Sequence, residues 1–240
     1  MVKDARSRSA RGFYVALAAV ALIGVGAIAY EAARRPRPAV TTVDPNLPPA
    51  KAEGYLLGRP DAPVQIIEFA DFECPACGQF ATVTEPDVRS RIVGPGLASL
   101  RFYDFPLPMH RNTWDASMAA ACAADQGKFW EMHDRLFQGQ DEWNGEATRN
   151  PKKVFLGYAR AIGLDVARWE QCYDGRQHLR QIQANMAEAE RRQVQQTPTF
   201  VIGRRMVPGA IGYDQFRALV DSAARERTQG ADTTKRPTAR

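Results

Sequence analysis

Cys74-Pro75-Ala76-Cys77 places two thiols three positions apart where a hydrophobic strand hands over to a helix, and that junction constrains the fold more than any other stretch of the chain. The run before it, Pro63-Val64-Gln65-Ile66-Ile67-Glu68-Phe69, is rich in β-branched residues and reads as a buried strand. Asp71, Phe72 and Glu73 form a short turn. Pro75 suits the first turn of the helix that follows, because its missing N–H costs nothing there. Cys74 then lies at a helix N-terminus, where unpaired N–H groups and the helix dipole favour thiolate over thiol. Cys77, one turn later, is the natural resolving thiol. The spacing alone leaves a second reading open, half of a zinc site.

A second motif, Gln196-Thr197-Pro198-Thr199-Phe200-Val201-Ile202-Gly203, puts a proline directly before an apolar strand, so Thr197-Pro198 is a candidate cis peptide. With Phe69-Ala70-Asp71-Phe72-Glu73 leading into the CPAC turn, Asp104-Phe105-Pro106-Leu107, and Gln126-Gly127-Lys128-Phe129-Trp130-Glu131-Met132-His133-Asp134, the chain resembles the thioredoxin superfamily. Within it, the likeness is to the exported, membrane-tethered branch of the DsbA-like thiol:disulfide oxidoreductases, and it covers residues 53 to 226 in order. The fold implied is α/β: a thioredoxin fold with an inserted helical domain, preceded by an N-terminal transmembrane helix.

Periodicity along the chain agrees. Leu97 to Phe105 reads as a second strand, and Pro86 is expected to kink or end the CPAC helix. From Asn112 to about Arg192 helical spacing dominates, with Phe129, Trp130, His133, Leu136 and Phe137 on one face. Phe200 to Ile202 is expected to pair with Met206 to Pro208 around Arg204 and Arg205, and Asp214 to Arg225 closes the fold as a helix. The expected organisation is a basic cytoplasmic segment over 1–11, a transmembrane anchor or signal segment over 12–30, a proline-rich linker over 31–52, thioredoxin-fold parts over 53–105 and 193–226, a helical insertion over 106–192, and a disordered basic tail over 227–240.

Residues 12–30 contain no charge, follow Lys3, Arg6, Arg8 and Arg11, and as a helix would span about 28 Å, close to the thickness of a bilayer core. Ala27-Ile28-Ala29 also has the small-x-small pattern of a signal-peptidase site, so the segment is an anchor or a cleaved leader. The expected location is the cell membrane, single-pass with the catalytic domain extracytoplasmic, or secreted or periplasmic if the segment is removed. The net charge of +5 sits in the appendages, leaving −3 on residues 53–226, which excludes a nucleic-acid module.

The resemblance assigns roles. Cys74 attacks or is attacked, and Cys77 resolves. Glu68, six residues before Cys74, stands where the superfamily often carries a buried acid, and there it would take the proton of Cys77. Pro198, if cis, lies across from the cysteine pair and denies it further metal ligands. Thr197, Pro198, Pro75 and Ala76 are expected to meet the substrate. Ala76 stands where the strongest oxidants of the family carry His, so Cys74 is expected to be less depressed in pKa than in those enzymes. Related exported members carry a second, structural bridge, which implies Cys122–Cys172. His110, His133 and His178 stand at no ligand spacing and read as surface or packing residues, so neither a metal nor a cofactor is expected.

The implied activity is donation of the Cys74–Cys77 disulfide to unfolded or reduced exported proteins by a monomer. Reoxidation falls to a membrane quinone-linked partner resembling DsbB or vitamin K epoxide reductase. Two other readings use the same pair: an envelope reductase or isomerase, and a non-catalytic binding or metallochaperone module.

Overall fold

The computed structural model describes residues 14–27, 30 and 51–233, with side chains to residue 229. Residues 14–27 form helix α1, every described side chain of it exposed. Fourteen residues rise about 21 Å, and among the described residues no helix is long and apolar enough to cross a membrane. Residues 12, 13, 28 and 29 of the expected 12–30 segment, and residues 31–50 of the linker, lie outside the described residues.

The chain divides into two units, Met1–Pro48 and Pro49–Arg240, and the second is built on a five-stranded sheet in the order β1-β3-β2-β4-β5. Its strands are β1 Tyr55–Leu57, β2 Val64–Ala70, β3 Ala98–Asp104, β4 Thr199–Ile202 and β5 Arg205–Pro208. β2 is central, parallel to β3 and antiparallel to β4. A parallel pair needs a crossover. Here it is helix α2, residues 75–93, which alternates α-type turns (Pro75–Gln79, Glu85–Val88) with wider π-type turns (Phe80–Thr84, Arg89–Val93). Pro86 does not end the helix. It falls in the first turn after a π-type stretch, where a proline ring meets no i−4 hydrogen bond of regular spacing.

Alternation along β2 decides what lies beneath the CPAC turn. Val64 and Ile66 pack with Phe80, Val88 and Ile92 of α2 and with Phe216 and Val220. Phe69 points the other way, against Phe105, Ala189 and Val194. Glu68 shares the face of Ile66, so it lies under α2 and is 1% exposed.

The insertion is all helical: α3 Thr113–Ala124, α4 Phe129–Gln138, α5 Gln140–Trp143, α6 Lys152–Ala161, α7 Val166–Asp174 and α8 Leu179–Arg191. Its core joins Phe72 and Phe102 of the sheet layer to Phe129, Phe137, Trp143 and Trp169. Cys122 of α3 and Cys172 of α7 form a disulfide with Cα atoms 5.8 Å apart, inside the usual range. The bridge joins residues 50 apart, so removing it as the Cys122→Ala/Cys172→Ala double variant should lower stability by no more than about 4 kcal/mol. Chemical denaturation of the two proteins, with the Cys74–Cys77 pair reduced in both, checks this.

One short strand goes beyond the sequence reading, and two local expectations change. The short edge strand β1, paired antiparallel with β3, was not visible in Tyr55-Leu56-Leu57 because three residues carry no alternation. The β4–β5 turn is Gly203-Arg204, with Arg205 already opposite Ile202, because Gly203 takes φ +60° where Arg would be strained. The closing helix α9 runs Tyr213–Thr233, so residues 227–233, expected as disordered tail, are helical. Phe216, Val220 and Ala223 bury its inner stripe, and Arg227 extends that anchorage by donating to the Pro63 carbonyl at 2.7 Å. Residues 234–240 lie outside the described set.

Candidate active site

Cys74 is the N-cap of α2, in extended conformation (φ −72°, ψ 122°), with Pro75 in the first turn. The Thr197-Pro198 peptide is cis. The Thr197 carbonyl lies 3.4 Å from Cys74 Sγ, and Gly209 N–H holds the loop by donating to the Pro198 carbonyl at 2.7 Å. Residues 123 apart in sequence therefore form the two lips of one site.

Cys74 and Cys77 are free thiols, 7% and 0% exposed. Their environments push their pKa values apart. Hydrogen bonding from the Cys77 thiol is the largest influence on Cys74, and with that from Thr197 and the amides of Cys77 and Ala76 it outweighs burial to bring Cys74 to about 5. Burial, and then the Cys74 sulfur itself, hold Cys77 well above the ordinary thiol range. One sulfur is a ready nucleophile and good leaving group; the other must gain or lose a proton in the protein interior. Ala76 supplies only its amide here.

Glu68 is the acid beneath. Burial, then the neighbouring Glu85, raise its pKa well above the carboxylate range, against the opposing pull of Arg89. Its carboxylate is felt by Cys77.

The turn itself is held from outside the thioredoxin unit. Asp71 is fully buried and accepts from Glu73 N–H at 2.8 Å, Thr113 Oγ1 at 2.5 Å, Leu107 N–H at 2.7 Å and His110 Nδ1 at 2.7 Å. Glu73 accepts from the amides of Asn112 at 2.6 Å and Gly145 at 2.5 Å. Gln140 donates to the carbonyls of Phe72 and Cys74 at 2.6 and 3.1 Å. Gly78 makes that approach possible, since a Cβ there would stand 2.5 Å from Gln140 Oε1. None of Asp71, Glu73 or Gln140 was singled out from sequence for this; the acid pair flanking Phe72 was the available signal.

Pro75 borders a cleft of about 380 Å³ with Glu73, Met109, His110 and Asn144. Met109 is 74% exposed at its rim. His110, expected as a surface or packing residue, is part of this site: its hydrogen bond to Asp71, opposed by partial burial, raises its pKa, and it also feels the charge on Cys74. His133 is buried among Phe72, Phe102, Phe129 and Phe137. His178 does approach cysteines in space, a ring nitrogen lying within 4.8 Å of the Cys122 and Cys172 sulfurs. Those sulfurs are bonded to each other, and His178 Nε2 is paired with Asp125 at 2.9 Å.

A strand-turn-helix dithiol under a cis-proline loop, with a helical insertion clamped onto the turn, defines a thioredoxin-fold protein of DsbA-like architecture. The chain belongs to the thioredoxin family, whose model matches residues 51–222. Among solved structures it resembles α-DsbA1 of Wolbachia pipientis (TM-score 0.66, 20% identity, 80% of this chain and 98% of that one) and oxidised BdbD of Bacillus subtilis (TM-score 0.64, 18% identity, 73% and 97%). A thioredoxin-like oxidoreductase from Silicibacter pomeroyi aligns with TM-score 0.59 at 26% identity, over 72% of this chain and 92% of that one. Among curated relatives, the Na(+)/H(+) antiporter NhaA 3 of Salinispora tropica is 35% identical over 194 residues. That match takes in 78% of this chain and only 28% of the antiporter's length.

Proposed function

We propose that this chain is a thiol:disulfide oxidoreductase working in the oxidising direction, passing the Cys74–Cys77 disulfide to reduced exported proteins. The observation that carries the reading is the split between the two sulfurs, Cys74 at about 5 and Cys77 far above it. A substrate thiolate attacks Cys74 Sγ, and the bond to Cys77 breaks with its electron pair left on Cys77, which is protonated by Glu68. A second substrate thiolate then attacks the substrate sulfur of the mixed disulfide, and Cys74 departs as a stable thiolate. The cleft beside Pro75 receives the substrate segment, with Ala76, Thr197 and Pro198 framing the attacked sulfur.

Residues 12–30 act as the membrane anchor in this reading, supported by their uncharged composition behind a basic start. The monomeric catalytic domain then faces the extracytoplasmic side, where a quinone-linked membrane oxidase resembling DsbB or vitamin K epoxide reductase returns it to the disulfide. The antiporter names do not transfer, because the matched quarter of those proteins is the thioredoxin-like part. A metal-carrying role is disfavoured by the Thr197 carbonyl, which stands 3.4 Å from Cys74 where another ligand would enter.

The test is the reduction potential of the Cys74–Cys77 pair, titrated against glutathione with mass mapping of all four cysteines. A potential between about −120 and −180 mV is expected of a disulfide donor. One near −270 mV would make the protein a reductant instead.

A further inference from the structure

Beneath the CPAC turn, three buried polar side chains lie close together: Glu68 is registered beside Phe102 in the sheet and feels the charge of Glu85, and the Phe102 ring packs on His133 at 5.3 Å. Glu68, Glu85 and His133 are 1%, 0% and 0% exposed, and Glu68 Oε2, Glu85 Oε2 and His133 Nε2 each lack a hydrogen-bond partner. Orphaned buried polar atoms are costly and uncommon, so three in one cluster call for a reason. His133 Nε2 stands 3.7 Å from Glu85 Oε2, a gap closed by a few tenths of an ångström of side-chain motion. On its other edge His133 Nδ1 lies 2.9 Å from Asp134 Oδ1 and 3.1 Å from Arg89 NH2. Arg89 spans the arrangement, donating to Glu85 Oε1 at 2.8 Å and to the two Asp134 oxygens at 2.8 and 3.0 Å. The Asp134 side chain is 42% exposed and opens onto a cleft of about 270 Å³ with Thr82, Pro86 and Gln138, which shares no residue with the cleft beside Pro75.

We propose that Glu68, Glu85, His133 and Asp134 form a proton conduit between the buried Cys77 thiol and solvent, with Arg89 holding its outer members in register. The inference rests on the thiol:disulfide reading and extends it. A substrate docked over Cys74 covers the front of the site, so Cys77 needs a second route to water. When the bond to Cys77 breaks, its thiolate takes the proton of the Glu68 carboxyl, and Glu68 is reprotonated by a proton relayed over Glu85 from His133. That proton leaves His133 Nε2 as His133 Nδ1 takes one from water beside Asp134, whose carboxylate stays paired with Arg89 and faces the new Nδ1–H. The electrons come from the substrate dithiol; the conduit carries one proton and no charge is left behind. His133 ends as the other tautomer. Reoxidation expels the proton along the same path and restores it, so each catalytic cycle resets the imidazole without a ring flip.

The experiment uses the purified full chain, reduced, mixed with glutathione disulfide and quenched at intervals for mass analysis. Cys74 first forms a mixed disulfide with glutathione, and Cys77 then closes the ring. Glu85→Gln and His133→Gln should leave the first step unchanged and slow closure at least about tenfold between pH 6 and 7. Asp134→Asn, at the solvent end of the path, should slow closure as well and flatten its pH profile. A purely structural role would shift both steps together and leave the closure profile in place. Closure with the wild-type rate and pH profile in Asp134→Asn and Glu85→Gln overturns the conduit. If the wild-type chain forms no mixed disulfide, the oxidoreductase reading itself falls and the conduit with it.

Discussion

At pH 5, Cys74 should alkylate with iodoacetamide about 40-fold faster than a free cysteine, although at pH 7 the two should react at nearly the same rate. With a pKa of about 5, Cys74 is half thiolate at that pH. A free thiol near pKa 8.5 is then only about 0.03% ionised, a gap of roughly 1,600-fold. Nucleophilicity falls as basicity falls, and a Brønsted slope of about 0.45 over roughly 3.5 units returns about 40-fold of that gain. The rate of Cys74 should therefore be flat above pH 6, while Cys77 stays unmodified in the native protein. Reactivity that instead rises through pH 8.5 would remove the stabilised thiolate and the leaving-group argument built on it.

The same shift sets the pH dependence of the redox couple. The depressed pKa stabilises the folded, reduced chain fully above the ordinary thiol pKa, and that contribution declines as pH falls and is gone below about 5. Between pH 5 and the high pKa of Cys77, reduction takes up one proton, so the potential should change by about 30 mV per pH unit. Below pH 5 it takes up two, and the slope should steepen to about 59 mV. A slope near 59 mV throughout the neutral range would mean that Cys74 is protonated there.

What could be read from sequence and what could not follows the range of the interactions. The strand, the CPAC turn and the Pro75 helix start are local, as is the proline before β4, and each carries its own residue signature. The pairing of the two lips is not local, but the two motifs are specific enough to imply each other. β1 escaped notice because a three-residue edge strand has neither length nor alternation. The supports of the turn escaped for another reason: Asp71 meets Leu107 across 36 residues, and Glu73 meets Gly145 across 72. Glu85 read as an unremarked residue before Pro86, and His133 as one apolar-face position among aromatics. Only their convergence in space gives them a chemistry.

Asp71→Ala should cost about 5 kcal/mol in urea unfolding followed by tryptophan fluorescence, with Trp143 and Trp169 both fully buried as reporters. The carboxylate is the acceptor common to the CPAC turn, the 105–110 loop and the start of α3. Alanine removes that acceptor but leaves the buried Thr113 hydroxyl and the amides of Glu73 and Leu107 facing a void, and each unsatisfied donor costs about 1–3 kcal/mol. Asp71→Asn separates the electrostatic from the geometric contribution. Its amide oxygen can replace Oδ1 toward Glu73 and Thr113, but its NH2 then opposes the Leu107 amide, so about half the loss should remain. Both variants should also move the Cys74 thiol upward, because the turn that aims the Ala76 and Cys77 amides at its sulfur loses its anchor. An alanine variant within about 1 kcal/mol of the parent would mean that the insertion clamps the turn through Glu73 and Gln140 alone.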